Sequence, residues 1–439
     1  MTRQRPADRP AFDDVIRRLV VWGVAFLTPL PLIAAYGRQA VGPMPMREGV
    51  ALGITAYTWW LIAVALSTRP RWVERHIGLP ALYGLHGMLA LAALGSAWLH
   101  KARTNGRNRL GADLGNWSLH LSTALITLAV FFLSGLLVDR MTGLAKLRTW
   151  CERLLPHGLS VWVHRLNLLA VLLAWWHAHI LVKLKGGYFG FLFILDAVTA
   201  LALGFWAWNA WRRRRPRATL LENEPVGPSL RRLRLQLDEP IRGVRPGDSF
   251  FIKVVGHHPG VPGDWHPFSL TNCDEAEFEF LIRQCGDFTN TLSILPTGSR
   301  FALQGPYGRF GGIAASGGSS PMILLGQGAG VAPLLSLLTY HRGERPIHLL
   351  WSLRRGEEHL ATELLGAEPA RADPACALRR TVQSHRFSQE DLAQALTRED
   401  VEQGQVFIIG PPRAVLAARR MLRRLGVARA RLHDERLTM

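Results

Sequence analysis

Six apolar segments, each about 20 residues long and therefore of membrane-spanning length, fill the first half of this 439-residue chain. They cover roughly residues 16–35, 49–68, 79–100, 117–138, 160–183 and 190–210. A helix of this length crosses the hydrocarbon core of a bilayer and satisfies its own backbone hydrogen bonds there. Because no such run follows Trp211, we predict a six-helix transmembrane bundle in residues 1–215 and a soluble second half.

The basic residues are distributed unevenly between the loops. The net charge of +19 is of a size that nucleic-acid-binding proteins also show. With the N-terminus placed in the cytoplasm, however, the cytoplasmic loops carry 17 Lys and Arg residues and the far loops carry 8. The positive-inside rule therefore predicts a multi-pass protein of the lipid bilayer with both termini cytoplasmic. No nucleic-acid partner is expected.

The second half of the sequence divides into two regions with different patterns of apolar residues. Residues 216–315 contain short alternating segments separated by turns, which predicts an antiparallel β-barrel. Residues 316–439 alternate buried strands with helical stretches, which predicts an α/β domain with a parallel, nucleotide-binding sheet. Between them, the glycine-rich residues 311–320 predict a flexible joint.

Two pairs of histidines lie inside the apolar segments. His86 and His100 are 14 residues apart, and His164 and His177 are 13 residues apart. At about 1.5 Å per residue, a 14-residue step covers roughly 21 Å, which places one ligand near each face of a bilayer. The pattern predicts two haems, each held by one imidazole from each segment. On a straight helix His179 lies closer to the face of His164 than His177 does, so spacing alone leaves both open.

One acid, Asp196, lies inside the sixth segment. An ionisable residue at membrane depth is a functional candidate by default. An equally good interpretation is that Asp196 faces a water-filled vestibule.

Three short motifs lie in the predicted barrel. They are His266-Pro267-Phe268-Ser269, the run from Arg283 through Gly286 to Thr289, and Gly305-Pro-Tyr-Gly308. The first offers an aromatic ring and a hydroxyl for a flat ring system, and the second offers a cation, a glycine and a hydroxyl for a pyrophosphate. In this order they predict a site for a flat ring system joined to a pyrophosphate.

A glycine-rich turn follows the first strand of the predicted parallel sheet. Its residues are Gly326, Gly328, Gly330, Val331 and Pro333, and a second turn at Gly410-Pro411 follows a later strand. Glycines allow close approach of the backbone to phosphates, and a following helix supplies unpaired N–H groups. Both turns lie where parallel sheets bind ligands, which predicts a nucleotide-binding site.

With these motifs the chain resembles bacterial members of the ferric reductase and NADPH oxidase family. The resemblance implies a six-helix, two-haem (haem b) domain in the inner membrane, followed by a ferredoxin–NADP reductase-like module. It implies one haem on His86 and His164 and the other on His100 and His177, choosing His177 over His179. It also implies FAD at His266 to Ser269 with Arg283, Gly286 and Thr289, and the nicotinamide cofactor along Gly326 to Pro333 and Gly410-Pro411.

Two positions depart from the pattern of that family. Ile409 stands where a cysteine usually precedes the second turn, and Leu437 stands where an aromatic residue usually covers the flavin. Both departures put efficient hydride transfer in question.

The resemblance implies electron flow from NAD(P)H through FAD and both haems to oxygen, giving superoxide, or to a ferric chelate. The alternative is a membrane subunit that feeds a dedicated periplasmic redox partner. Arg354 and Arg386 follow the strand ends that face the adenosine ribose in this family. Because cations suit a 2′-phosphate, we favour NADPH over NADH.

Overall fold

The computed structural model describes residues 9–40, 42–104, 108–133, 157–183, 189–212, 217–256, 258–272, 274–366 and 378–436. Contacts divide the chain into two compact units. One contains residues 18–73 and 79–211, and the other contains residues 1–17, 74–78 and 212–439. Leu437 and residues 134–138 of the predicted fourth segment lie outside the described residues.

The first unit is helical. Its helices are α1 (Arg9–Leu27, which begins in the other unit), α2 (Leu30–Gln39), α3 (Met44–Ser67), α4 (Arg71–Ile77, which belongs to the other unit from Glu74 onward), α5 (Leu79–Arg103), α6 (Arg109–Leu133), α7 (His157–His164), α8 (Asn167–Lys183) and α9 (Phe189–Arg212). By length and composition, six segments of the described chain can cross a membrane. Their outward faces carry large apolar side chains, such as Phe193 at 74% and Leu201 at 73% exposure. That is what a lipid-facing helix requires.

Three segments differ from the sequence prediction. The fourth begins at Arg109 rather than at 117, because Arg109 starts a continuous helix that carries only one further charge, Asp113, before its apolar core. The first is broken between Leu27 and Leu30, where Pro29 lacks the N–H that a helix interior needs. The fifth is broken between His164 and Asn167.

The second unit contains the predicted antiparallel sheet. Its strands are β1 (Arg217–Pro225), β2 (Leu230–Leu237), β3 (Ser249–Val255), β4 (His266–Ser269), β5 (Glu277–Arg283) and β6 (Arg300–Tyr307), in the order β4-β3-β6-β1-β2-β5. A bridge between Leu270 and Phe280 connects the two ends of this order and closes the barrel. Buried side chains that include Phe250 and Phe278 fill the interior.

The parallel sheet follows. Its strands are β7 (Met322–Gln327), β8 (Ile347–Ser352), β9 (Leu378–Gln383), β10 (Gln405–Gly410) and β11 (Leu432–Arg436), in the order β11-β10-β7-β8-β9. The remaining helices are α10 (Asp287–Thr291), α11 (Phe310–Ser316), α12 (Ala332–His341), α13 (His359–Leu365), α14 (Gln389–Ala395), α15 (Arg398–Gln403) and α16 (Pro412–Arg424). Alternate residues of β7 enter different core clusters, Leu324 one and Ile323 the other, so both faces of the sheet are covered.

The predicted flexible joint is wrong. Residues Phe310–Ser316 form α11, and Ala314 is fully buried. A Cβ atom on Gly311 would lie 2.6 Å from the carbonyl oxygen of Pro246. Gly311 therefore serves close packing rather than flexibility.

Candidate functional site

The structure brings the four predicted haem histidines together as two pairs. The rings of His86 on α5 and His164 on α7 have centroids 6.0 Å apart, and so do those of His100 on α5 and His177 on α8. Two imidazoles on opposite sides of one iron, each with an Fe–N bond of roughly 2 Å, place their centroids about 6 Å apart. Both distances fit a haem iron between the rings.

Hydrogen bonds to backbone carbonyls fix the orientation of three of these rings. The Nδ1 atoms of His86, His100 and His177 lie 2.9, 2.7 and 2.6 Å from the carbonyl oxygens of Ala63, Gly49 and Gly111. Because a carbonyl only accepts, each Nδ1 carries the proton and donates. Each Nε2 keeps its lone pair, which is the state that a metal-binding imidazole needs.

Glycines make room for the second pair of rings. A Cβ atom on Gly53 would lie 2.8 Å from Nδ1 of His100, and one on Gly115 would lie 2.7 Å from Nδ1 of His177. Gly49 and Gly111, each four residues earlier, supply the carbonyl oxygens that accept from His100 and His177. The two Gly-x-x-x-Gly pairs, on α3 and α6, thus seat the two rings in the same way.

The break in the fifth segment explains how His164 and His177 can both pair with histidines of α5 although they are 13 residues apart. The side-chain amide of Asn167 donates to the carbonyl oxygen of His164 at 2.9 Å, in the place of a backbone donor. The following amides, such as that of Leu168, bond to carbonyls three residues back, which tightens the turn. The 13-residue spacing is therefore not that of one straight helix.

His179 is engaged elsewhere. Its Nε2 atom lies 3.1 Å from the carboxylate of Asp196, which also accepts a hydrogen bond from Nε1 of Trp175 at 2.8 Å. The Nδ1 atom of His179 donates to the carbonyl oxygen of Trp175 at 3.0 Å. Asp196 therefore has a partner inside the bundle, which joins α8 to α9.

The predicted flavin residues lie on β4 and on the segment from the end of β5 into α10. His266, Pro267, Phe268 and Ser269 form β4, and the ring of His266 stacks on Phe288 with centroids 4.0 Å apart. The hydroxyl of Thr289 accepts from the backbone N–H of Gly286 at 2.9 Å. Phe288, which connects the two motifs, was not singled out from the sequence.

Arg283 makes an ion pair that the sequence did not reveal. Its Nη1 and Nη2 atoms lie 3.0 Å from Oε1 and Oε2 of Glu357, which follows β8. Although burial opposes ionisation, hydrogen bonds from Arg283 and Ser229 lower the pKa of Glu357 to about 2. Glu357 is thus charged and neutralised by Arg283, so it is not available to a ribose hydroxyl.

The two predicted nicotinamide turns lie side by side. Gly326 on β7 pairs with Ile409 on β10. A Cβ atom on Gly330 would lie 3.0 Å from the carbonyl oxygen of Ile409, and one on Gly410 would lie 2.9 Å from Cβ of Gln327. Both glycines are therefore needed for packing. The side chain of Ile409 is fully buried in the core.

The two arginines predicted to face the adenosine ribose follow neighbouring strands. Ser352 pairs with Gln383 at the ends of β8 and β9, and Arg354 and Arg386 come two and three residues later. Both arginines are exposed. The sheet thus brings these two cations to one edge.

A buried acidic cluster lies beside the Gly305–Gly308 turn. Oε1 of Glu74 on α4 accepts from the N–H of Gly308 at 3.1 Å, and Asp248 pairs with Arg75 at 3.0 Å. Burial raises the pKa of Glu74 to about 7 and that of Asp248 to about 6. Burial also raises the pKa of Glu435 to about 7. None of these acids was singled out from the sequence.

Residues 217–311 match the oxidoreductase FAD-binding domain family. The reductase component of propane 2-monooxygenase from Rhodococcus jostii (strain RHA1) is 29% identical over 235 residues, covering 49% of this chain and 61% of that protein. A probable electron transfer subunit of dihydroorotate dehydrogenase B (NAD(+)) from Methanopyrus kandleri is 32% identical over 134 residues, covering 30% and 42%. The chain thus spans less than two thirds of either relative.

Among solved structures, a ferredoxin NADP+ reductase from Neisseria gonorrhoeae with bound FAD and NADP aligns with a TM-score of 0.40 at 18% identity. The alignment covers 50% of this chain and 97% of that one. The family match supports FAD as the cofactor of the antiparallel domain.

Proposed function

We propose that this chain is a transmembrane oxidoreductase related to ferric reductases and NADPH oxidases. It takes electrons from cytoplasmic NAD(P)H and passes them through FAD and two haems to an acceptor on the far side of the membrane. Residues 1–215 hold the haems, 216–315 bind FAD and 316–439 bind NAD(P)H. A haem accepts one electron at a time, whereas a hydride carries two. Bound FAD would therefore accept the hydride and pass its electrons on singly.

One observation carries this proposal. The same chain holds two imidazole pairs with centroids 6.0 Å apart and a segment that matches an FAD-binding oxidoreductase domain. Ionisable side chains in membrane-spanning helices are rare and usually functional. Four of them, paired across the same two spans and oriented mostly by backbone carbonyls, fit haem ligation better than scattered structural roles.

Separate groups of residues bind the haems, the flavin and the nicotinamide nucleotide. His86 and His164 hold one haem, and His100 and His177 hold the other. The motif from His266 to Ser269, with Gly286 and Thr289, orients the flavin. The glycines at 326, 328 and 330 admit the phosphates of the nicotinamide nucleotide, and Arg354 and Arg386 attract its 2′-phosphate.

Exposed cations near the end of α5 bear on the acceptor. Lys101 and Arg103 come one and three residues after His100, and both side chains are exposed, with Arg103 lying 3.6 Å from the carboxylate of the equally exposed Glu48. A cationic surface raises the local concentration of anions. This favours an anionic ferric chelate as acceptor, with oxygen as the second candidate.

Anaerobic reduction by NADPH tests the function. We expect the purified protein in lipid nanodiscs to contain FAD and two haems per chain, and NADPH to produce the reduced haem spectrum. Ferric citrate, or oxygen in a separate sample, then restores the oxidised spectrum. FMN in place of FAD, a protein without haem when haem is supplied, or haems that NADPH leaves oxidised would each contradict the proposal.

A further inference from the structure

The ion pair between Arg283 and Glu357 lies between the two nucleotide-binding sheets. Arg283 ends β5 of the antiparallel sheet, and Glu357 lies in the turn after β8 of the parallel sheet. Their side chains are only 9% and 5% exposed. Ser229 joins them, because its hydroxyl donates to Oε1 of Glu357 at 2.7 Å and accepts from Nη1 of Arg283.

These contacts use a defined part of the guanidinium group. A guanidinium has five N–H donors in a plane. Glu357 accepts one from Nη1 and one from Nη2, and Ser229 accepts the second from Nη1. The two remaining donors, on Nε and Nη2, share one edge. No contact within the described ranges uses that pair of donors.

The remaining edge faces the glycine-rich turn. A Cβ atom on Gly328 would have as its nearest neighbours Nη2 of Arg283 at 3.4 Å and Nε at 3.8 Å. Gly328 has a φ of +56°, which favours glycine, and its carbonyl oxygen accepts from Nε1 of Trp351 at 3.0 Å. The edge is therefore presented to a turn whose position is fixed at the carboxyl end of β7.

We propose that Glu357 and Ser229 are positioning residues that turn the Nε–Nη2 edge of Arg283 toward the pyrophosphate of the nicotinamide nucleotide. Two parallel N–H donors on one edge match two phosphate oxygens. Glycine-rich turns at the carboxyl ends of parallel strands are where such phosphates bind. This inference rests on the proposed use of NAD(P)H and reassigns Arg283 from the flavin to the nicotinamide nucleotide.

The charge of the pair supports a positioning role. Glu357 is ionised at neutral pH, so the pair as a whole is neutral and the carboxylate fixes one orientation of the guanidinium. If Glu357 acted instead as a competitor for Arg283, its removal would strengthen phosphate binding. The two roles therefore predict opposite changes in affinity.

Equilibrium binding to the full-length protein tests the proposal, with NADP+ as the probe on the FAD-loaded protein and FAD as the probe on the flavin-depleted protein. We expect Glu357→Gln to weaken NADP+ binding roughly tenfold or more, as for loss of a well-oriented charged contact, and to leave the Kd for FAD within about twofold of wild type. Glu357→Asp should restore part of the loss. Arg283→Lys should bind NADP+ as poorly as Arg283→Ala, because a lysine keeps the charge but lacks the two-donor edge.

Two controls guard against misfolding. Glu358→Gln changes a neighbouring exposed acid that lies outside the ion pair and should bind both probes as wild type does. Ser229→Ala leaves the ion pair in place and should weaken NADP+ binding by a smaller factor. This second variant keeps the test informative if Glu357→Gln does not fold.

Four outcomes would overturn the proposal: unchanged NADP+ affinity in Glu357→Gln, tighter NADP+ binding, an equal or larger loss of FAD affinity, or normal NADP+ binding by Arg283→Lys. Failure of the proposed function is distinguishable, because the wild-type protein would then fail to bind NADP+ or FAD at all.

Discussion

His177 donates from Nδ1 to the carbonyl oxygen of Gly111 at 2.6 Å, across two neighbouring apolar helices. His100 and Gly49 repeat this arrangement at 2.7 Å. In both cases the glycine four residues further along, Gly115 or Gly53, leaves the space that the imidazole ring occupies. The second imidazole pair is therefore seated by backbone atoms and by absent side chains.

Gly115→Ala should disrupt that pair. The added Cβ atom would lie 2.7 Å from Nδ1 of His177, which is closer than real Cβ contacts come, and the ring must move. We expect the haem content of the purified protein to fall from two per chain toward one. Gly95→Ala on α5 is the matched control, because its Cβ atom meets nothing within 4 Å. Two haems retained in Gly115→Ala would contradict this role.

The choice between His177 and His179 has a direct test. His177→Leu should remove one haem, whereas His179→Leu should keep both, because Nε2 of His179 is directed at Asp196. The measurement is the haem-to-protein ratio with the reduced-minus-oxidised spectrum. If His179→Leu loses a haem while His177→Leu keeps both, the ligand assignment is wrong.

Glu74 should make stability depend on pH. Burial raises its pKa to about 7, from an ordinary value of 4.5, so the stability it contributes is fully present below pH 4.5 and is lost as pH rises through 7. Arg75 opposes this shift, and Asp248 and Glu435 reinforce it.

Glu74→Gln should therefore unfold at the same temperature as wild type near pH 4.5, and at a higher temperature at pH 8. The full shift corresponds to roughly 3 kcal/mol as an upper bound. The midpoint of thermal flavin release from the full-length protein measures the effect. Glu275→Gln, at an exposed acid, is the control. If the thermal midpoint of Glu74→Gln fell with pH as steeply as that of the wild type, Glu74 would not be the origin of the pH dependence.

Arg386→Ala should raise the KM for NADPH roughly tenfold, as expected for loss of one charged hydrogen bond, and leave that for NADH nearly unchanged. Arg386 lies at the carboxyl edge of the parallel sheet, where a 2′-phosphate would be met. Arg342→Ala, at an exposed arginine before β8 on the opposite edge, should alter neither value. Steady-state rates decide the matter, and a wild-type kcat/KM for NADH at or above that for NADPH would refute the preference.

The local sequence pattern predicted the structure correctly where a residue type has the same physical requirement in every context. Apolar length predicted the six spans, and short alternating segments predicted an antiparallel sheet ahead of the parallel one. It failed where glycine has two uses. Residues 311–318 look like a flexible joint, but Gly311 lies under Pro246 because the neighbouring backbone leaves no room for a side chain. Only the packing partner distinguishes these two uses.

The sequence by itself determined the elements and their chemistry: which segments are apolar enough for a bilayer, which histidines lie within them, and which glycine turns follow buried strands. These depend on the residues and their immediate neighbours. Tertiary structure alone decided the pairings. The carbonyl oxygens that orient His86, His100 and His177 lie 23, 51 and 66 residues away along the chain, and Asp196, the partner of His179, lies 17 residues away. The same holds for Arg283, whose partner Glu357 lies 74 residues further along the chain. Hydrogen bonds and ion pairs act over about 3 Å, so the orientation of these groups was set by the fold and not by sequence spacing.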